Sequence, residues 1–246
     1  MRQRTLIALV AATVFVGVAL ATLPASLLTG RLPPTITAEG VGGTIWNGGA
    51  DALRINGVPM GELSWSAEPL GLLRGALVFH IDLTRPDGYV RGRLVAHPGG
   101  ALTADGVELK LGLAALSGDL GPNGWQGDLG GTVRAARIEN GWPVALDASF
   151  TVSNVKPQGA QITIGSYAID FDPATPNATQ LIGRIHDVAA PLMVRAQLTI
   201  DRAHTYVVSG DLTPRADAPS EVAQAVAFLG APDSAGRRQF QLTGVF

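Results

Sequence analysis

The chain contains no cysteine in 246 residues, so disulfides, thiolate metal sites and a cysteine nucleophile are excluded. Charge is also scarce: 15% of residues are Asp, Glu, Lys or Arg, and lysine occurs only at Lys110 and Lys156. The four histidines, His80, His97, His186 and His204, are scattered, and only His204 has a potential ligand three or four residues away, Asp201, which is too few for a metal site. Neither a Gly-x-Ser-x-Gly elbow nor a His-Glu-x-x-His metal motif occurs. Gly40-Val41-Gly42 starts like a dinucleotide fingerprint but has Ile45 where the third glycine belongs, and a turn before a strand explains it better. The sequence offers no catalytic residue, no cofactor-binding residue and no metal ligand.

A second long apolar run is missing too, which makes the first one conspicuous. After Arg2 and Arg4 there is no charge from Thr5 to Gly30. A helix rising about 1.5 Å per residue needs roughly 20 residues to cross a hydrocarbon core, and Leu6 to Leu23 with its flanks is long enough. The two arginines favour a cytoplasmic N-terminus. Ala19-Leu20-Ala21 also fits cleavage of a secretory signal peptide after Ala21, whereas the apolar character continues through Leu23, Leu27 and Leu28 and favours a retained anchor. Pro24 is expected to end the helix near the outer interface. The organisation expected is a cytoplasmic tip and transmembrane helix over residues 1–30 and an exported domain over 31–246, periplasmic if the cell has an outer membrane.

The exported part keeps 16 of the 18 basic residues against 20 acidic ones, a net charge of −4 that makes nucleic acid a poor partner. The 31 glycines and 16 prolines of the whole chain accompany apolar residues at spacing two from Thr35 to Gln180, the pattern of antiparallel strands with short turns. The spacing predicts strands at 35–39, 43–46, 50–55, 58–65, 74–84, 89–96, 101–109, 124–137, 144–154 and 161–171, with a last one at 238–245. Asn56-Gly57, Asp87-Gly88, Asp105-Gly106 and Asn140-Gly141 are the expected hairpins, because these dipeptides accept positive φ. Single helical turns are expected at Pro69–Arg74 and Leu111–Leu116. A helix over Ser220–Leu229 would be capped by Ser220 and would pack Val222, Val226 and Leu229 on the sheet. The fold class is mainly β: an N-terminal transmembrane helix, then a curved antiparallel meander or a two-layer β domain, with one short C-terminal helix.

Two stretches resemble each other. Trp46-Asn47-Gly48-Gly49 and Trp125-Gln126-Gly127-Asp128 each lead into a hairpin about ten residues later, consistent with stacked hairpin units or with two ordinary hairpins. Asp82, Asp87, Asp105, Asp119, Asp128 and Asp147 are expected in or beside turns, where solvation suffices to explain them. The tryptophans Trp46, Trp65, Trp125 and Trp142 suit either the core or a stacking surface.

Gly43-Thr44-Ile45-Trp46-Asn47-Gly48-Gly49-Ala50 resembles the Gly-Thr-aliphatic-Trp-x-Gly-x-Ala segment that follows the anchor in the type II secretion system protein N family. Leu63-Ser64-Trp65 through Gly75 looks like that family's next block. Near the end, Phe228-Leu229-Gly230-Ala231-Pro232-Asp233 and Gly236-Arg237-Arg238 are similar to its terminal block. The resemblance implies a single-span inner-membrane component or accessory of the machine that moves folded proteins across the outer membrane, with no enzymatic activity. Its partners would be other secretion components of the inner membrane or periplasm. The motif residues Gly43, Thr44, Trp46, Gly48, Trp65, Leu229, Gly230, Pro232, Asp233, Gly236 and Arg237 become candidate interaction residues. Low charge and a mean hydropathy of +0.24 leave a second function open, a carrier of lipid or another apolar ligand on a hydrophobic sheet face. A third, a glycan hydrolase of the envelope, would need a pair of carboxylates assembled in space.

Overall fold

Alternating apolar and polar side chains place themselves on opposite sides of an extended backbone, and in this chain that rule builds almost everything. The computed structural model describes residues 22–30, 32–113, 124–159, 163–173 and 179–245. One sheet of 14 strands runs through them. Its first edge is split into β1 (Ile36–Glu39) and β2 (Gly42–Gly43), both paired with β3 (Asn47–Ile55). There follow β4 (Val58–Glu68), β5 (Leu77–Arg85), β6 (Gly88–Ala96), β7 (Leu102–Gly112), β8 (Trp125–Glu139), β9 (Trp142–Pro157), β10 (Gly165–Phe171), β11 (Gln180–Ala189), β12 (Leu192–Asp201), β13 (Thr205–Pro214) and β14 (Arg238–Val245). From β3 onward every strand pairs antiparallel with the next in sequence, so the meander expected from the sequence is the architecture. The expected transmembrane helix lies mostly outside the described residues, and no described helix is long and apolar enough to cross a membrane.

Register joins the apolar positions into rows that cross the sheet. Ala50 faces Leu63, Leu63 faces Leu83, Leu83 faces Val90 and Val90 faces Leu109. The same row continues through Gly131, Phe150, Ile169, Ile185, Ala196 and Gly210 to Phe240. It passes from β3 to β14 without a polar side chain. At the usual strand spacing this row is about 50 Å long. The neighbouring row on the opposite face reads Glu62, Thr84, Tyr89, Lys110 and on to His186, Arg195, Asp211 and Gln239.

Glycines on the apolar face are covered by rings from the adjacent strand. A Cβ on Gly131 would collide with the Phe150 ring, one on Gly244 would stand 2.5 Å from Tyr206, and one on Gly183 2.9 Å from Phe171. Phe150 and Phe171 meet edge to face, with centroids 6.1 Å apart, the favoured aromatic geometry. Buried clusters form around Trp142, Val144 and Phe171, and around Ala104, Val107 and Ala136. No large described side chain is completely buried, the mark of a sheet whose apolar face lacks a second layer.

Two short elements lie at the ends of that face. Helix α1 (Ser26–Thr29) follows Ala25, which is 1% exposed. Helix α2 (Ser220–Ala227) seats Val222 and Val226 against Leu192, Val194 and Leu212. Two helical expectations are corrected here. The residue preceding α2 is Pro219, which makes no side-chain cap, while Ser220 is its first helical residue and bonds Glu221. Leu229 lies beyond the helix and is 48% exposed, so it does not pack with the two valines. Of the turn expected at 111–116, residues 111 and 112 end β7, Leu113 is in a 3₁₀ turn, and 114–116 lie outside the described residues. Pro69–Arg74 forms the expected turn, as a 3₁₀ helix.

Other corrections concern turns. Of the strand expected at 43–46, Gly43 is in β2 and Thr44 makes an isolated bridge to Pro24, while Ile45 and Trp46 form the bend that leads into β3. Asp105-Gly106 is no hairpin: it lies inside β7 at a register shift opposite Arg91 and Arg93, and Gly106 takes φ 57°, as a bulge requires. Asn56-Gly57 and Asn140-Gly141 do turn hairpins, with positive φ at all four residues. β11, β12 and β13 were not among the expected strands.

Candidate functional site

The first motif block folds into a single knot at the β3 end of the sheet. The Thr44 hydroxyl accepts the backbone N–H groups of Trp46 (3.3 Å) and Asn47 (3.1 Å), and the Thr44 N–H donates to the Asn47 carbonyl at 2.8 Å. Gly43 takes φ 81°, and a side chain there would strike the Asn47 carbonyl at 2.5 Å. The Trp65 indole N–H donates to the Ile45 carbonyl at 3.2 Å, while its ring covers Gly48. Trp46 lends its carbonyl to Ala67 N–H at 2.6 Å. Gly43, Thr44, Trp46, Gly48 and Trp65 are thus brought together.

This knot also holds the segment that follows the apolar N-terminal run. Ile45 N–H donates to the Leu23 carbonyl at 2.9 Å and Ala25 N–H to the Gly43 carbonyl at 3.0 Å, and Pro24 bridges Thr44. Beside it lies a cavity of about 170 Å³. Ala25 and Leu32 form one wall, Ala50 and Trp65 another, Phe79 and Leu94 a third. The atoms exposed to it are all apolar.

The terminal block stands at the other end. Asp233 closes its loop: its carboxylate accepts the N–H groups of Ala235 and Arg237, both at 2.9 Å, and Arg237 Nε at 3.0 Å. The Arg237 backbone N–H leads the interactions that hold the Asp233 carboxyl below the usual carboxylate range. Gly236 supplies φ 77°, Gly230 accepts Arg238 Nε at 2.9 Å, and Pro232 and Leu229 are exposed. The sheet order keeps this loop, next to β14, apart from the β3 knot, so the candidate residues form two places rather than one.

Beside this block β14 presents an open edge. Among the described residues no strand pairs with its far side. Natural edges are commonly blunted by charges, prolines or bulges. β14 has one charged residue, Arg238, no proline and an unbroken register with β13 from Thr205↔Val245 to Leu212↔Arg238. The opposite edge is interrupted between β1 and β2 by Gly40 at φ 66°.

A polar intrusion interrupts the apolar face at Asp187, opposite Tyr167. Burial pushes its carboxyl up, but the Val194 N–H at 3.0 Å and the Arg215 guanidinium outweigh that, and it is held below the usual range. Tyr167, which donates to the Ile164 carbonyl at 3.0 Å, is pushed up to about 12 by burial and by the Asp187 charge.

The carboxylates considered for acid/base chemistry are paired across strands. Asp82 meets Arg91 at 2.9 Å and Asp105 meets Arg93 at 3.0 Å, while Asp147 meets Arg134 and Asp128 accepts from Asn154 at 3.3 Å. These four stand within strands, correcting the expectation of turns; Asp87 is at a turn, and Asp119 lies outside the described residues. Opposite charges facing each other across a ladder explain the pattern. Ser153 and Lys156 have the spacing of acylating Ser-x-x-Lys enzymes. They sit on β9 beside Asn154 at φ 55°, without a hydrogen bond between them, not on the helical turn that brings i and i+3 together. The histidines are dispersed, and no described group of three His, Asp or Glu residues is clustered to hold a metal. The tryptophans do not share one surface: Trp125 and Trp142 open β8 and β9 at opposite ends of that hairpin.

A family model for the type II secretion system (T2SS), protein N, matches residues 34–241, which includes both motif blocks. The chain belongs to the type II secretion system protein N family. Among curated relatives, the type II secretion system protein N of Aeromonas hydrophila is 24% identical over 278 aligned positions, covering 99% of each chain. That of Vibrio cholerae is 26% identical over 221 positions, covering 87% of this chain and 86% of the relative. No solved structure matches. The matched residues run from just before β1 to the middle of β14 of this chain.

Proposed function

We propose that the chain is a component of the type II secretion machine, attached to the inner membrane by residues 6–23 with its N-terminus in the cytoplasm and its sheet in the periplasm. It acts by binding other secretion components, not by catalysis. The family supports the machine, and the uncharged run from Thr5 to Gly30 supports the attachment. The observation that carries the binding role is the open β14 edge, which offers a row of backbone donors and acceptors to an added strand. The exposed Leu242 (60%) adds apolar contact at that edge.

Deletion of the gene should leave type II substrates accumulating in the periplasm, and the full chain supplied in trans should restore their release. Unchanged secretion would sink the reading. The mass of the mature protein tests the attachment separately, because cleavage after Ala21 removes the anchor while leaving residues 22–246 intact.

A further inference from the structure

The cavity beside the β3 knot has an unusual combination of size, lining and place. At about 170 Å³ it is close to apolar cavities that stay free of water and accept about six carbon atoms of hydrocarbon. Its walls expose no polar atom, which restricts the occupant. An extended peptide would bring backbone N–H and C=O groups that nothing there can satisfy. A helix satisfies its own backbone but is about 10 Å across with its side chains, too wide for this space. A hydrocarbon chain is narrow and has no polar group to satisfy.

The cavity opens onto a longer apolar track. Ala50 and Leu63, both in its wall, begin the row that crosses the sheet to Phe240. Val90, Leu109, Phe150, Ile169 and Ile185 along it are only partly buried. Helix α2 covers the far end, packed with Phe240. The near end is the one stitched to Leu23 and Ala25, directly after the uncharged run. If that run is in the bilayer, its hydrocarbon lies within a few residues of the cavity.

We propose that this cavity is a lipid site: it seats the end of an acyl chain drawn from the adjoining bilayer, with the rest of the chain lying along the row from Leu63 toward Phe240. The inference rests on the membrane attachment proposed above. It assigns the first motif block a second task, since the Trp65 ring pinned by its hydrogen bond to Ile45 is one of the cavity walls.

The test uses the full chain reconstituted in phospholipid vesicles that contain a phosphatidylcholine with a diazirine near the end of one acyl chain. After irradiation, labelled residues are mapped by mass spectrometry. The alternation of the strands provides an internal control, because Phe79 and Ile81 line the cavity while His80 between them faces the other side. Labelling is expected at Phe79, Ile81 and Leu94, about tenfold above His80 and Arg93, as the partition of hydrocarbon from water predicts. Ala50→Phe should fill the cavity and abolish the signal. Because that variant can misfold, Leu94→Gln is the second: an unpartnered amide in the wall should lower labelling about tenfold with the far-ultraviolet circular dichroism unchanged.

Labelling confined to residues 6–23, or equal labelling of His80 and Phe79, would each overturn the proposal. The two readings fail separately. Absent labelling with secretion lost on deletion removes the lipid site and keeps the secretion role; strong labelling with normal secretion does the reverse.

Discussion

The indole edge of Trp65 fills the space that a Cβ on Gly48 would need, with Cζ2 only 2.6 Å from that position. The Gly42 and Thr44 carbonyls crowd the same point at 2.6 and 2.9 Å, so the ring cannot simply move aside. Gly48→Ala should therefore cost about 1–3 kcal/mol, the usual range for overpacking. Trp65→Phe removes the hydrogen bond to Ile45 and should cost about 1 kcal/mol from that loss alone. Urea unfolding of both variants checks the two values, and a Gly48→Ala protein as stable as the parent would refute the account of the knot.

Adjacent glycines on β8 should behave oppositely. Gly131 lies under Phe150, whereas Gly130 points to the polar face, where an added methyl would meet nothing within 4 Å. Gly131→Ala should destabilise by about 1–3 kcal/mol. Gly130→Ala should be neutral or gain about 0.4–1 kcal/mol by restricting the unfolded chain. Equal effects in chemical denaturation would contradict the assignment of faces.

Asp187 and Arg215 make stability depend on acid. The Asp187 carboxyl is held low in the folded chain, so its contribution is present above the unfolded value of about 3.9 and is lost as pH falls through the lower folded one. Arg215→Ala should cost about 1–3 kcal/mol at neutral pH by leaving that carboxylate without its guanidinium. The difference between parent and variant should shrink as pH falls below about 4. A difference that stays constant from neutral pH to about pH 3 would show that the pair contributes no linkage.

Tyr167 provides the alkaline counterpart. Its folded value of about 12 lies above the unfolded value of about 10, so stability is undiminished below about pH 10 and declines as pH rises from there toward 12. Ultraviolet titration of the phenols should resolve one late step, absent in Tyr167→Phe. Asp187→Asn should move that step to lower pH, since it removes the neighbouring negative charge.

The β14 edge is tested by Leu242→Lys. Leu242 is 60% exposed, so the change should alter stability by no more than about 0.5 kcal/mol. A charge on an edge strand opposes further pairing, and secretion of a type II substrate by cells carrying the full-length variant should fall. Normal secretion with normal protein levels would argue against strand addition at this edge.

Most of the meander was legible because its evidence is local. Asn56-Gly57 and Asn140-Gly141 state their turn in two residues, and β4, β5 and β6 alternate cleanly between them. Asp105-Gly106 misled because the same positive φ serves a bulge as well as a hairpin, and only the partner strand decides which. Leu192, Val194, Ala196, Leu198 and Ile200 alternate as well as any earlier strand, so β12 was readable; β11 hid its pattern behind Gly183 and Asp187 on the inner face and Ile182 on the outer one. The motif blocks were legible as sequence but not as sites. Nothing in Gly43 to Ala50 reveals that its glycine spares room for a tryptophan seventeen residues onward, or that the cavity wall needs Phe79 and Leu94 from two further strands.

The strict next-neighbour order of the strands also governs how the chain can assemble. Beyond the split first edge, each strand needs only the one just before it, so no segment has to wait for the C-terminus before it can pair. A chain delivered N-terminus first finds its template already laid down at every step, and the growing edge is always the newest strand. Each intermediate therefore ends in a border of free peptide groups, as the finished sheet still does at β14.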